Sequence, residues 1–125
     1  MKFAGLAVHA ASAAALCACS QGVKAPTERG VCWHAIPQKG GQMKFNVLSR
    51  DADRIEKCAA ELEGMRMRFL GMGGARELMG AYQGSYLFVM DEGILRGETL
   101  TGARYVMLVR TGDGRLAIPG AMPQE

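Results

Sequence analysis

The sequence predicts an α+β domain in which an antiparallel sheet of about four to five strands carries one long helix packed across it. Three observations lead there. A chain of 125 residues holds one compact domain. A 3.6-residue apolar stripe runs through residues 51–70, and the sequence beyond Gly74 breaks into short β-prone runs separated by turn residues. A helix followed by consecutive strands, without βαβ alternation, is the pattern of an α+β fold on an antiparallel sheet.

The helix comes from the spacing of Ile55, Cys58, Ala59, Leu62 and Phe69, which share one face while Arg54, Lys57, Glu61 and Arg68 lie largely off it. Ser49 or Asp51 is placed to cap it, and Asp51 with Asp53 complements the positive end of its dipole. Past Gly64, residues Met65, Met67 and Phe69 alternate with Arg66 and Arg68 in a period that also suits a strand. The helix is continued to about Leu70 at a cost of about 1 kcal/mol for the internal glycine. Gly71-Met72-Gly73-Gly74 then ends it.

Strands are expected at 79–83, 86–90, 94–100 and 104–110, with Leu116-Ala117-Ile118 closing before Pro119. Asp91-Glu92-Gly93 and Gly112-Asp113-Gly114 are the hairpin connections. Val106 to Val109 is apolar on both faces, which predicts an inner strand with one face under the helix. A short run at 45–48 joins the sheet or leads into the helix.

Ahead of the domain, Lys2 precedes a weakly apolar, alanine-rich stretch over 3–18 that ends in Leu16-Cys17-Ala18-Cys19, the layout of an export signal. The stretch resembles the signal of bacterial lipoproteins, whose lipobox asks for an aliphatic residue, a small one, Gly or Ala, and then the cysteine that is acylated before cleavage. Leu16, Cys17, Ala18 and Cys19 fill those places, with Cys17 an uncommon second residue and His9 interrupting the apolar stretch. The resemblance covers the first nineteen residues. It implies a signal peptide over 1–18, lipidation at Cys19 and, with Ser20 rather than Asp next, delivery to the outer membrane facing the periplasm. Several acyl chains on one cysteine anchor stably where one chain holds marginally. The other outcome of export is cleavage after Ala15 and a soluble periplasmic product. Residues 19–30 read as a flexible tether, polar and aperiodic with Gly and Pro, and 31–125 as the single domain. The domain is similar in style to small envelope lipoproteins, with Cys58-Ala59-Ala60-Glu61-Leu62-Glu63 and Thr111-Gly112-Asp113-Gly114-Arg115-Leu116 its most individual stretches. That likeness adds location and no chemistry.

Once Cys17 is removed and Cys19 lipidated, Cys32 and Cys58 remain, and an even remainder in an oxidising compartment predicts a disulfide. It would close a loop of 26 residue steps, for which chain entropy gives about 3–4 kcal/mol. Two buried free thiols are the alternative. With the bridge, the two Cα atoms should lie within about 4.4–6.8 Å, and Trp33 beside it should be substantially buried.

The function classes narrow by exclusion. Fifteen Lys and Arg against 12 Asp and Glu give a net charge of +3, too small and too evenly spread for nucleic acid. His34 is the only histidine beyond the signal, so a multi-histidine metal site cannot be assembled. The thioredoxin pattern is excluded by the wide separation of Cys32 and Cys58 and the mid-helix place of Cys58. Gly71-x-Gly73-Gly74 follows a helix and precedes strands, so it reads as a helix end rather than a phosphate cradle. Arg66, Arg68 and Arg76 form at most a small patch that Glu61, Glu63 and Glu77 offset, and Asp91 with Glu92 reads as ordinary turn carboxylates. The expectation is a non-catalytic, membrane-tethered envelope lipoprotein without a cofactor, presenting a disulfide-stapled domain to a protein partner. The alternative is a periplasmic ligand or copper binder using Cys32, His34, Met65 and Met67, whose thiolate, imidazole and thioethers are what soft copper selects.

Overall fold

The computed structural model describes residues 22–120, so the expected signal peptide and the lipidation site Cys19 lie outside the described residues. The chain forms strands β1 (Cys32–Pro37), β2 (Met43–Ser49), β3 (Leu78–Tyr82), β4 (Ser85–Met90), β5 (Gly93–Gly97), β6 (Arg104–Arg110) and β7 (Leu116–Ala117), with helix α1 (Ile55–Gly71) between β2 and β3. All pairs are antiparallel, in the order β2-β1-β3-β4-β5-β6-β7. The class is α+β, and the sheet has seven strands rather than four to five.

The added width comes chiefly from β1. Cys32-Trp33-His34-Ala35-Ile36-Pro37 shows no polar–apolar alternation, because β1 packs on both faces, Cys32 in the core beneath α1 and Trp33 in the aromatic cluster opposite. Since β1 runs against both β2 and β3, those two point the same way, and the chain must return the length of the sheet to join them. Helix α1 makes that return. It starts at Ile55 behind an extended Arg54 with no side-chain cap. Ser49 and Asp51, expected as caps, are engaged elsewhere: the Ser49 hydroxyl donates to Glu61 at 2.6 Å, and Asp51 pairs with Lys57 at 3.4 Å. The helix runs through Gly64, as expected, and ends at Gly71.

Register divides the side chains between two faces. Leu78, Tyr82, Leu87, Val89, Ile94 and Leu108 meet Ala59, Leu62 and the Cys32–Cys58 bridge beneath α1. The bridge has a Cα–Cα distance of 5.2 Å, inside the expected window, and both cysteines are fully buried. Directly under the helix is Gly80, where an added Cβ would come within 2.2 Å of Leu62 Cδ1 and 2.8 Å of the Trp33 carbonyl oxygen. Only glycine lets the helix approach this closely. The tight β3–β4 hairpin needs left-handed backbone at both loop residues, Gln83 with φ 43° and Gly84 with φ 89°.

The opposite face carries Trp33, Phe45, Met79, Ala81, Tyr86, Phe88, Met90 and Leu95. Trp33 is half-buried there, edge-on to Phe45 at 6.4 Å, rather than against the helix. Alternation explains this: Cys32 points under α1, so its neighbour points away. Part of this face is covered by the segment expected to be tether. Ala25 is buried, the Tyr86 hydroxyl donates to the Val23 carbonyl at 2.6 Å, Gly84 N–H donates to the Pro26 carbonyl at 2.8 Å, and Gly30 N–H donates to Gln83 Oε1 at 2.8 Å. From Val23 onward the chain therefore belongs to the folded body. One further expectation is corrected and another holds in part. The 94–100 strand ends at Gly97, with Leu100 folding back over the second face. Strand β6 is an inner strand, paired with β5 and β7, and its Leu108 joins the buried core beneath α1 with Met107 packed against it, but its Tyr105 and Val106 are exposed.

Two substitutions test this core. Cys58→Ser should lower unfolding free energy by about 2–5 kcal/mol. Gly80→Ala should cost about 1–3 kcal/mol by forcing Leu62 off its seat. Urea titrations of the oxidised protein measure both, and wild-type midpoints would mean that the helix is not held in this way.

Candidate functional site

Pairing between β1 and β3 stops at Ala35 opposite Met79, although both strands run on: Ile36 and Pro37 stay with β2, and Leu78 stays with β4. The strands part at this end of the sheet and leave a cavity of about 490 Å³. Its walls are His34 to Pro37 of β1, Phe69 of α1, Ala75 and Glu77 of the α1–β3 loop, Leu78 and Met79 of β3, Phe88 and Met90 of β4, and Arg104 of β6. Because neighbouring strand residues point to opposite faces, the gap is lined from both. The volume lies within the usual range for small-molecule sites, and so does a mostly apolar lining with a few polar groups.

Those polar groups are His34, Glu77 and Arg104. His34 faces the Phe69 ring at 6.1 Å, and burial lowers its pKa below the ordinary 6.5, so the imidazole is neutral at pH 7. Arg104 lies over the Phe88 ring at 3.6 Å from its centroid, and Nη2 donates to the Leu100 carbonyl at 3.2 Å. Among the described residues no carboxylate pairs with Arg104. The sequence offered no signal for this site, since it arises from where two strands cease to pair.

Of the residues singled out from sequence, Cys32 and Cys58 are brought together and His34 reaches the cavity wall. The copper set is not assembled: the Cys32 sulfur is bonded to Cys58, Met65 packs on the main core, and Met67 is 59% exposed. Among the described residues no group of three or more His, Cys, Asp or Glu is placed to hold a metal ion.

A second concentration of charge lies at the far end of α1. Arg66 is 6% exposed and fully engaged: Nε donates to the Arg76 carbonyl at 2.6 Å, Nη1 to Glu63 at 3.2 Å and Nη2 to Asp91 at 2.5 Å. Arg76 reaches the other Asp91 oxygen at 2.6 Å, while Arg110 donates to Glu63 and to the carbonyls of Met90 and Asp91. Arg66 and Arg76 are thus tied into an ion-pair cluster that fastens the helix to the β4–β5 turn and β6, instead of forming a free positive patch. The sequence did hold a hint, since Arg66 sits one turn beyond Leu62 on the apolar stripe. No buried side-chain nitrogen or oxygen of the cluster lacks a partner, so it reads as a clamp.

Compared with known protein families, with curated proteins and with solved structures, the chain matches none.

The clamp has a pH signature. The Arg66 hydrogen bond, with Arg76 beside it, holds the Asp91 carboxyl below its ordinary pKa. A carboxylate depressed in the fold contributes fully above the unfolded value of about 4, and its contribution is lost as pH falls through the lower folded value. Stability of the wild type should fall more steeply than that of Asp91→Asn as pH drops below about 4. Superimposable acid limbs in urea titrations across that range would show that the clamp carries no such linkage.

Proposed function

We propose that this is a non-catalytic protein of the cell envelope, held to a membrane through Cys19, that presents a disulfide-stapled α+β domain to a protein partner. The observation that supports it most is the Cys32–Cys58 bridge, fully buried between β1 and α1. Such bridges persist in oxidising compartments outside the cytosol, which is where an export signal ending in Leu16-Cys17-Ala18-Cys19 would send the chain. Partner binding is supported by the β6–β7 end of the sheet, where Tyr105, Val106 and Ile118 are 67%, 52% and 62% exposed. As strand neighbours Tyr105 and Val106 point to opposite faces, so each face of this strand leaves a large side chain in solvent where a partner could cover it. A second reading, in which the domain takes a small molecule, is favoured by the cavity between β1 and β3.

Localisation and partnership can be tested separately. Cys19→Ala should move the protein from the membrane fraction to the soluble one and abolish labelling by a radioactive fatty acid. An unlabelled wild type, with its N-terminus upstream of Cys19 or well past it, would overturn the anchor. For the partner, a photo-crosslinking amino acid at Tyr105 in intact cells should yield a discrete adduct that the same group at Met67, on α1, does not. If no adduct forms at Tyr105, the β6–β7 end is not the docking surface.

A further inference from the structure

The geometry points to the cavity at the β1–β3 split as a binding site for a single-chain fatty acid, its carboxylate on Arg104 and its alkyl chain running between the parted strands. This deepens the small-molecule reading of the same cavity, on which it rests, and depends on neither the anchor nor the partner-binding role.

The walls argue for an alkyl chain. Most of the lining is aliphatic, aromatic or thioether, and Met79 with Met90 supplies flexible, polarizable side chains that adapt to a chain of variable bend. Burial lowers the His34 pKa and so disfavours an imidazolium in the lining. A peptide strand filling the gap would need backbone partners that this edge does not supply. Pro37 has no N–H, and Gln38 Nε2 donates to the carbonyls of Ile36 and Pro37 at 3.4 and 3.3 Å.

The mouth argues for an anionic head. The Arg104 guanidinium, stacked on Phe88, keeps donors free beyond its bond to Leu100 and pairs with no carboxylate among the described residues. Stacking on a ring fixes the guanidinium plane, and a fixed plane binds a carboxylate bidentately with less entropy lost. Glu77 is the one carboxylate in the lining, and it enters from the β3 side. Strands β4 and β5 separate β3 from β6, which bears Arg104. Of the two charges, the Arg104 guanidinium attracts a carboxylate and the Glu77 carboxylate repels one, so the head group is directed to Arg104.

The experiment uses the full chain carrying Cys19→Ala, purified as the cell leaves it with its disulfide formed, so that no detergent competes. Dodecanoate, dodecanol and dodecyltrimethylammonium are titrated calorimetrically below their aggregation thresholds, and the methionine methyl resonances are followed in parallel. Dodecanoate should saturate at one equivalent, shift the Met79 and Met90 methyls, and bind about tenfold or more tighter than either other head group. Arg104→Gln, a change at an exposed position, should remove most of that preference while leaving dodecanol within about twofold. The proposal is overturned if dodecanoate fails to saturate, if the Met79 and Met90 methyls do not move, if the cationic amphiphile binds as tightly, or if Arg104→Gln leaves the order unchanged.

Discussion

The seating of Leu62 on Gly80 is the contact on which the rest of this domain depends. A side chain larger than hydrogen at Gly80 would collide with Leu62 and with the Trp33 carbonyl, so the helix, β3 and β1 meet at a point where nothing can be inserted. That fixes the height of α1 above the sheet. With the height set, Cys58 comes within bonding distance of Cys32 on the neighbouring strand, and Tyr82, one strand turn away, reaches over to donate to the Ala52 carbonyl at 2.7 Å. Bridge, seat and tyrosine tie three segments distant in sequence into one unit, whose order in the unfolded chain would be costly to find.

Much of this could be read from residue order. The helical stripe, the hairpin turns and the cysteine pair each obey a local rule, and each appears where that rule puts it. What escaped the reading shares one cause: it depends on a second neighbour. Strand β1 lacks alternation because both its faces are occupied, and without alternation its cysteine, tryptophan and histidine looked like candidate chemistry instead of packing. Arg66 looked solvated because isolated arginines on helices usually are, and its partners beyond the helix, the Arg76 carbonyl and Asp91 in the β4–β5 turn, come from further along the chain. The cavity is the extreme case. No residue in its wall has a distinctive local pattern, and its existence reflects only that β1 follows β2 while β3 follows β4 after Ala35 and Met79.

The sheet also divides its labour between faces. Beneath α1 the packing is closed, stapled and bounded by the Arg66 clamp, which holds the end of the helix remote from its uncapped start. On the other face, aromatic and methionine side chains are covered only in part, by Ala25 at one place and Leu100 at another. Small domains bury a modest fraction of their surface, and a face left partly open is where such a chain can afford recognition. The Trp33 Nε1 proton, buried without an acceptor among the described residues, lies on this same face.

The docking of residues 23–30 against the β3–β4 hairpin bears on how the domain would stand relative to a surface. As a free coil from Cys19 to Gly30, the chain would let the domain tumble, and any side could turn toward the lipid. If Cys19 carries the proposed anchor, the bonds of Val23 to Tyr86 and of Pro26 to Gly84 would leave a leash of four residue steps, about 14 Å at full stretch. A leash shorter than the domain's own diameter acts as a hinge with a preferred attitude. The β3–β4 hairpin would then be the underside, and the β6–β7 end, two strands further out, would be carried at the flank with a fixed bearing toward whatever lies alongside in the envelope.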